Sequence, residues 1–261
     1  MTAPNQSEPS GEVAPKLSFF HRLKRWLPLV VLLLLMILAF SQGLHNHLTL
    51  SNLIMKRQEL AGFVEQNFAL AILAYMGIYA VAVALSIPGA TLMTIAGGFL
   101  FGWILAGFAT VFSASLGACA VFLVARSSLG EVLTRRAGPF LSKLAEGFRN
   151  DAFNYLLFLR LTPVFPFWLV NIAPAVFQMP LASYALATFV GIIPGTFAFA
   201  FIGSGLDSVI EAQEAANPGC VQAGSCHVDV SALVTPELLA AFFALGLASL
   251  IPVVLKKVRS R

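Results

Sequence analysis

Residues 155–179, YLLFLRLTPVFPFWLVNIAPAVFQM, are almost wholly apolar, yet they carry Arg160, Asn171 and the prolines Pro163, Pro166 and Pro174. A helix that crosses a bilayer needs about 20 uninterrupted apolar residues. Prolines this close together remove backbone donors and block such a helix. Backbone freed at membrane depth survives only where protein or a watery cavity satisfies it. The pattern therefore predicts a re-entrant hairpin in which residues 155–161 enter, 162–166 turn and 167–177 return. Arg160 then lies near the turn and at depth, where a charge is costly and marks function.

Charged residues make up 11% of the 261-residue chain and hydrophobic ones 58%, whereas soluble domains carry roughly 25% charged residues. So few charges cannot cover a surface in water, and the expected fold class is an all-α integral membrane protein. The net charge of +4 does not point to nucleic acid. The basic residues sit beside apolar runs, which is the positive-inside pattern.

Residues 1–25 read as a disordered, basic N-terminus, ending in Lys16, Arg22, Lys24 and Arg25. A membrane anchor helix is expected over 26–42. The basic flank and short apolar run also resemble a secretory signal peptide with a cleavage site at Ala39-Phe40-Ser41, but the further spans favour an uncleaved anchor. His45 and His47 have no third ligand nearby and read as part of a solvated connector over 44–66 rather than a metal site. No charge occurs over 68–125, too long a run for one span, and Pro88-Gly89 interrupts it with a turn signal. A second hairpin fits, with arms 68–87 and 90–101, followed by a span over 103–125. Gly97, Gly98 and Gly102 are candidate packing positions in its second arm.

The loop 126–150 is rich in Arg and Lys, and its apolar residues recur at helical spacing, so an amphipathic helix resting on lipid is expected there. Residues 181–202 read as another span, in which Gly191 and Gly195 suit close helix packing. The segment 206–236 is an acidic extracytoplasmic loop. Within it Cys220 and Cys226 form a disulfide if the compartment is oxidising. Residues 237–261 supply a last helix and a basic tail. In sum, about four spanning helices accompany two opposed re-entrant hairpins, with both termini in the cytoplasm. A shift of 78 residues pairs Pro88 with Pro166, Phe99 with Phe177 and Gly117 with Gly195. Paired, proline-broken apolar segments in an inverted repeat are the pattern of secondary transporters.

Ile87-Pro88-Gly89-Ala90 and the run from Ala96 through Gly97, Gly98 and Phe99 to Gly102 resemble the first hairpin of the DedA superfamily. Phe122 with Arg126 is similar to its aromatic-xxx-Arg element. Arg160-Leu161-Thr162-Pro163, Pro166 and Asn171 resemble its second hairpin, and Gly191 to Gly195 the helix that follows. Together they resemble the VTT (SNARE-associated) domain over residues 68–205, in the branch shared with eukaryotic vacuole- and ER-membrane relatives. The resemblance implies translocation of phospholipids or polyprenyl phosphates between leaflets. Ala90 stands where members closest to proton coupling carry an acid, leaving the first hairpin without an acidic residue. Pro174-Ala175 replaces a glycine expected soon after Asn171.

On this reading Arg160 pairs with an anionic phosphate headgroup through its bidentate fork. Asn171 and the amides around Pro88 and Gly89 add neutral donors, Pro163 and Pro166 open the backbone, and Arg126 receives the headgroup at the cytoplasmic mouth. The structural alternatives are a cation that holds the broken turn shut for Arg160 and a positive-inside anchor for Arg126. The runner-up function is an ion- or proton-coupled small-solute transporter, and a partner-binding scaffold is a third option. No enzymatic motif, cofactor or metal site is expected. Membrane lipids are the expected partners, homo-oligomerisation is left open, and the expected residence is a bacterial inner membrane.

Overall fold

In the computed structural model, residues 55–87, 89–129, 139–162, 165, 167–220 and 235–253 are described, with scattered helical positions between Leu27 and Ser41. All the ordered elements among them are α-helices. They are α1 (Arg57–Gln66), α2 (Phe68–Ala84), α3 (Ala90–Phe101), α4 (Trp103–Leu129), α5 (Pro139–Leu161), α6 (Phe167–Val176), α7 (Leu181–Ser204), α8 (Leu206–Ala216) and α9 (Pro236–Ser249).

The first apolar run does break into two helices at Pro88-Gly89, but α2 stops at Ala84, three residues earlier than the periodicity predicts. Ser86 takes a left-handed φ of +53°, and the Ile87 amide turns back to the Ala82 carbonyl at 2.9 Å. This closes the helix as a Schellman motif, with Ile87 burying its side chain beside the cap. The residue before a proline is also disfavoured in the α region. Gln178 repeats the device after α6: its φ is +57°, and the Met179 amide bonds the Pro174 carbonyl at 3.0 Å. Neither cap carries the glycine that signals such an end in a sequence.

The arm that bears Arg160 begins earlier than expected. α5 runs continuously from the amphipathic segment and bends at Asp151, whose φ of −159° and ψ of 86° are extended. Asp151 acts as an N-cap for the second half of α5: its Oδ1 accepts from the Asn154 amide at 3.2 Å and its Oδ2 from Asn154 Nδ2 at 3.1 Å. Asp151→Ala should cost about 1 kcal/mol of stability. Thermal melting in detergent checks this, with Asp151→Ser expected to recover most of the loss. The amphipathic segment does more than rest on lipid. Phe148 is buried, edge-on to Tyr155 at 5.1 Å and stacked on Phe177 at 5.3 Å.

Packing follows an exchange between the halves. Each hairpin's first arm, α2 or α5, lies on the long helix that follows it in sequence, α4 or α7. Each second arm crosses over, α3 to α7 and α6 to α4. The crossing of α3 with α7 is close enough that a Cβ on Gly98 would meet the Ala200 carbonyl, and one on Gly203 the Ile95 carbonyl. The core among these helices holds Tyr79, Val83, Phe122, Leu156 and Tyr184. Outside it, Leu73, Ile78, Leu116, Leu123 and Phe201 are each at least half exposed. Such a coat is stable only against lipid, so the chain is an integral membrane protein.

Among the described residues, two helices are long and apolar enough to cross a membrane, Trp103–Ser127 and Leu181–Ala216, or three if α1 and α2, bent by 115°, count as one. Of the four expected spans, 26–42 is described at seven positions, all helical. The last, Leu239–Val253, is a shorter apolar helix. The acidic segment starts as helix α8 rather than as loop, because Leu206 and Ile210, one turn apart, bury against Ile95. Cys220 is disulfide-bonded, whereas Cys226, like the N-terminal 1–25 and His45 and His47, lies outside the described residues.

Candidate functional site

Arg160 sits one residue from the end of α5, and its guanidinium reaches inward. Nη2 donates to Asn171 Oδ1 at 2.8 Å, to the Tyr184 hydroxyl at 3.1 Å and to Thr188 Oγ1 at 3.1 Å. Asn171 on α6 and Tyr184 and Thr188 on α7 are all fully buried. The guanidinium carbon lies 5.7 Å from the Tyr184 ring, which stacks on Phe122 of α4 at 4.3 Å. The Tyr184 hydroxyl is also within 3.2 Å of the Ala118 carbonyl and of Asn171 Oδ1. One cation thus joins both arms of its hairpin to both long helices.

The close approach depends on Gly191, where an added Cβ would lie 2.8 Å from the Arg160 Cβ. Arg160 borders a cavity of about 280 Å³. Gly191, Gly195 and Thr196 of α7 continue its wall. Tyr79 of α2 and Ala90, Thr91 and Thr94 of α3 also line it, while Phe199 and Phe242 add apolar surface. Residues from both hairpins therefore meet in one space.

The electrostatics of this space are lopsided. Neither 68–125 nor 152–206 contains Asp, Glu, Lys or His, and Arg160 is the single charged residue in the two stretches. Two buried donors, Arg160 Nε and Asn171 Nδ2, have no hydrogen-bond acceptor among the described residues. A buried unpaired polar group costs about 1–3 kcal/mol. The site is thus an excess of donors around an uncompensated cation.

Of the residues singled out in the sequence, Arg160 and Asn171 come together, with Asn171 behind the guanidinium rather than on the cavity wall. Arg126 does not join them. It is exposed at the end of α4, with its guanidinium carbon 6.0 Å from the Phe122 ring. Gly89, at φ +123°, leads into α3, whose first residue lines the cavity. Pro88, Pro163 and Pro166 lie outside the described residues. Among the glycines, Gly98 meets the backbone of α7 and Gly97 the Tyr75 ring. Gly195 has only Phe242, at 4.0 Å, and Gly102, at φ +74°, has open space.

Sequence reasoning missed Tyr184, Thr188, Tyr79 and Thr94. A signal for the first pair existed: Tyr184, Thr188 and Gly191 recur at helical spacing, one polar or small stripe on an apolar helix. Among the described residues no group of His, Cys, Asp and Glu could hold a metal ion.

Residues 87–205 match the VTT domain family. Curated relatives include the transmembrane protein 41 homolog of Dictyostelium discoideum, 31% identical over 204 residues that cover 76% of this chain and 55% of the relative. The transmembrane protein 41 homolog of Caenorhabditis elegans is 30% identical over 58% of this chain and 62% of its own length. Transmembrane protein 41B of Danio rerio is 32% identical over 60% and 56% respectively. The chain thus spans little more than half the length of these relatives. No solved structure matches.

Proposed function

The chain is a VTT-domain membrane protein of the branch that holds the eukaryotic transmembrane protein 41 proteins, and from that premise we propose that it moves lipids between membrane leaflets. An anionic phosphate headgroup passes through the cavity between the hairpins while its tails stay in the bilayer. The observation that carries this reading is the bare cation: Arg160 borders a cavity shared by both hairpins, and no carboxylate lines that cavity or occurs within 68–125 or 152–206. A phosphate oxygen is the kind of acceptor that the Arg160 guanidinium suits at the cavity wall. The step is one of binding and passage, without covalent chemistry.

A carrier coupled to protons or ions needs a titratable or anionic group beside its substrate. The stretches 68–125 and 152–206 offer neither carboxylate nor histidine, so that reading ranks second. The proposed architecture is four spans and two opposed hairpins related as an inverted repeat, which the exchange of second arms between the halves favours. Basic residues beside the apolar runs favour a topology with both termini in the cytoplasm. A bacterial inner membrane is the proposed residence, although the named relatives come from eukaryotes. Arg126 serves as a basic anchor at the cytoplasmic end of α4.

The test is a fluorescent-lipid assay in vesicles that contain only this protein, with phospholipid and polyprenyl-phosphate probes. An impermeant quencher should reach inner-leaflet lipid in protein-containing vesicles and spare it in empty ones. Equal quenching in both kinds of vesicle with each of the two probes would reject the proposal.

A further inference from the structure

The part of the cavity wall that the first hairpin supplies has a hydrogen-bonding sense of its own. Thr94 Oγ1 lies 2.8 Å from the Ala90 carbonyl and 3.0 Å from the Tyr79 hydroxyl, which itself lies 3.3 Å from the same carbonyl. These groups hold two hydroxyl protons, and either arrangement of donors spends both inside the triangle. A hydroxyl oxygen carries two lone pairs, and at most one of the four is used between Tyr79 and Thr94. Both residues line the cavity. Their oxygens therefore meet an occupant as acceptors, whereas Arg160 meets it as a donor.

A headgroup that fits needs an acceptor at one end and an O–H or N–H donor at the other. The charge balance separates the two kinds of donor. An ammonium would find no carboxylate to receive it, since Arg160 is the one charged residue in the lining and the lipid's own phosphate is already paired with it. A quaternary ammonium has no N–H to offer in addition. A neutral hydroxyl meets neither objection.

Building on the lipid-translocation reading, we propose that Tyr79 and Thr94 select phosphodiester lipids whose headgroup bears a free hydroxyl, the polyol class. The phosphate sits on Arg160, and the headgroup hydroxyl donates across the cavity to the Tyr79–Thr94 pair.

Two short-chain lipids of equal charge and similar headgroup size isolate this contact: phosphatidylglycerol and phosphatidylpropanol, which lacks the hydroxyls. Equilibrium binding to the detergent-purified full chain should favour phosphatidylglycerol by about tenfold, the worth of one buried hydrogen bond. Thr94→Val and Tyr79→Phe keep the side-chain shape and should each shrink that ratio towards one. Arg160→Gln should weaken both lipids and leave a preference between them. Equal binding of the two lipids by the wild type, or a ratio unchanged in both shape-conserving variants, overturns the proposal. Its failure is separable from that of translocation. Selective binding without flipping rejects translocation and keeps the selectivity, whereas equal flipping and equal binding of both lipids reject the selectivity alone.

Discussion

Arg160→Gln should give a folded protein that no longer flips lipid, with the protein-dependent rate reduced at least tenfold. The guanidinium supplies two separate things. Nη2 holds Asn171, Tyr184 and Thr188 together, and the charge faces the cavity without a counter-charge. A glutamine amide can still donate to one or two of the three oxygens. Removing an uncompensated charge from membrane depth also relieves a solvation penalty of about 3 kcal/mol or more. The net change in stability should therefore be small, within about 2 kcal/mol of the wild type. Flipping in vesicles and thermal melting in detergent, run on the same preparation, separate the two contributions. A melting temperature near that of the wild type with flipping lost assigns the charge to the headgroup. A collapse of the melting transition makes Arg160 a clamp for its hairpin and removes the support for its role in transport. Arg160→Lys keeps the charge without the fork and should fall between the two, because one ammonium cannot satisfy a phosphate and three inward oxygens together.

Gly98→Ala is the substitution expected to damage the fold most. The new methyl would enter the Ala200 carbonyl, which is backbone and cannot rotate away. Gly203 makes the reciprocal contact with the Ile95 carbonyl. Between them α3 and α7 approach as closely as two backbones can, the use to which membrane helices put small residues. Forcing them apart should cost about 3 kcal/mol and move Thr94 away from Arg160, so both melting temperature and transport should fall. The double variant with Gly203→Ala should not yield a monodisperse protein. Gly77→Ala supplies the contrast. That glycine is exposed in the middle of α2 with nothing within 4 Å of an added Cβ, and alanine is favoured in a helix by about 1 kcal/mol. It should be neutral or stabilising. Equal losses at Gly77 and Gly98 would mean that the crossing has no special tightness.

Much of the chain could be read without coordinates because its constraints are local. The bilayer tolerates no unpaired backbone, so Pro88-Gly89 and the prolines after Arg160 dictate where the apolar runs break, whatever surrounds them. A charge alone in such a run marks itself, which is why Arg160 and Asn171 stood out. The scarcity of charge excluded a soluble fold outright. Boundaries that depend on side-chain hydrogen bonds or left-handed caps were less legible. The stop of α2 at Ala84 turns on Ser86 at φ +53°, and the bend in α5 turns on Asp151 reaching Asn154. Ser does not announce a left-handed cap, whereas Asp is a common N-cap type whose use shows only once its partner is seen.

What only the tertiary structure decided is which distant groups share a space. Tyr79 and Thr94 lie far before Arg160 in the sequence, yet all three line one cavity, because α3 packs on α7 as well as on the helices of its own half. Gly98 and Gly203 look like ordinary small residues until their partners' carbonyls are seen against them. Arg126, equally conspicuous in the sequence, ends at the exposed tip of α4 away from that space. Pairing across a hundred residues depends on helix packing, and packing is a property of shapes that no local pattern encodes.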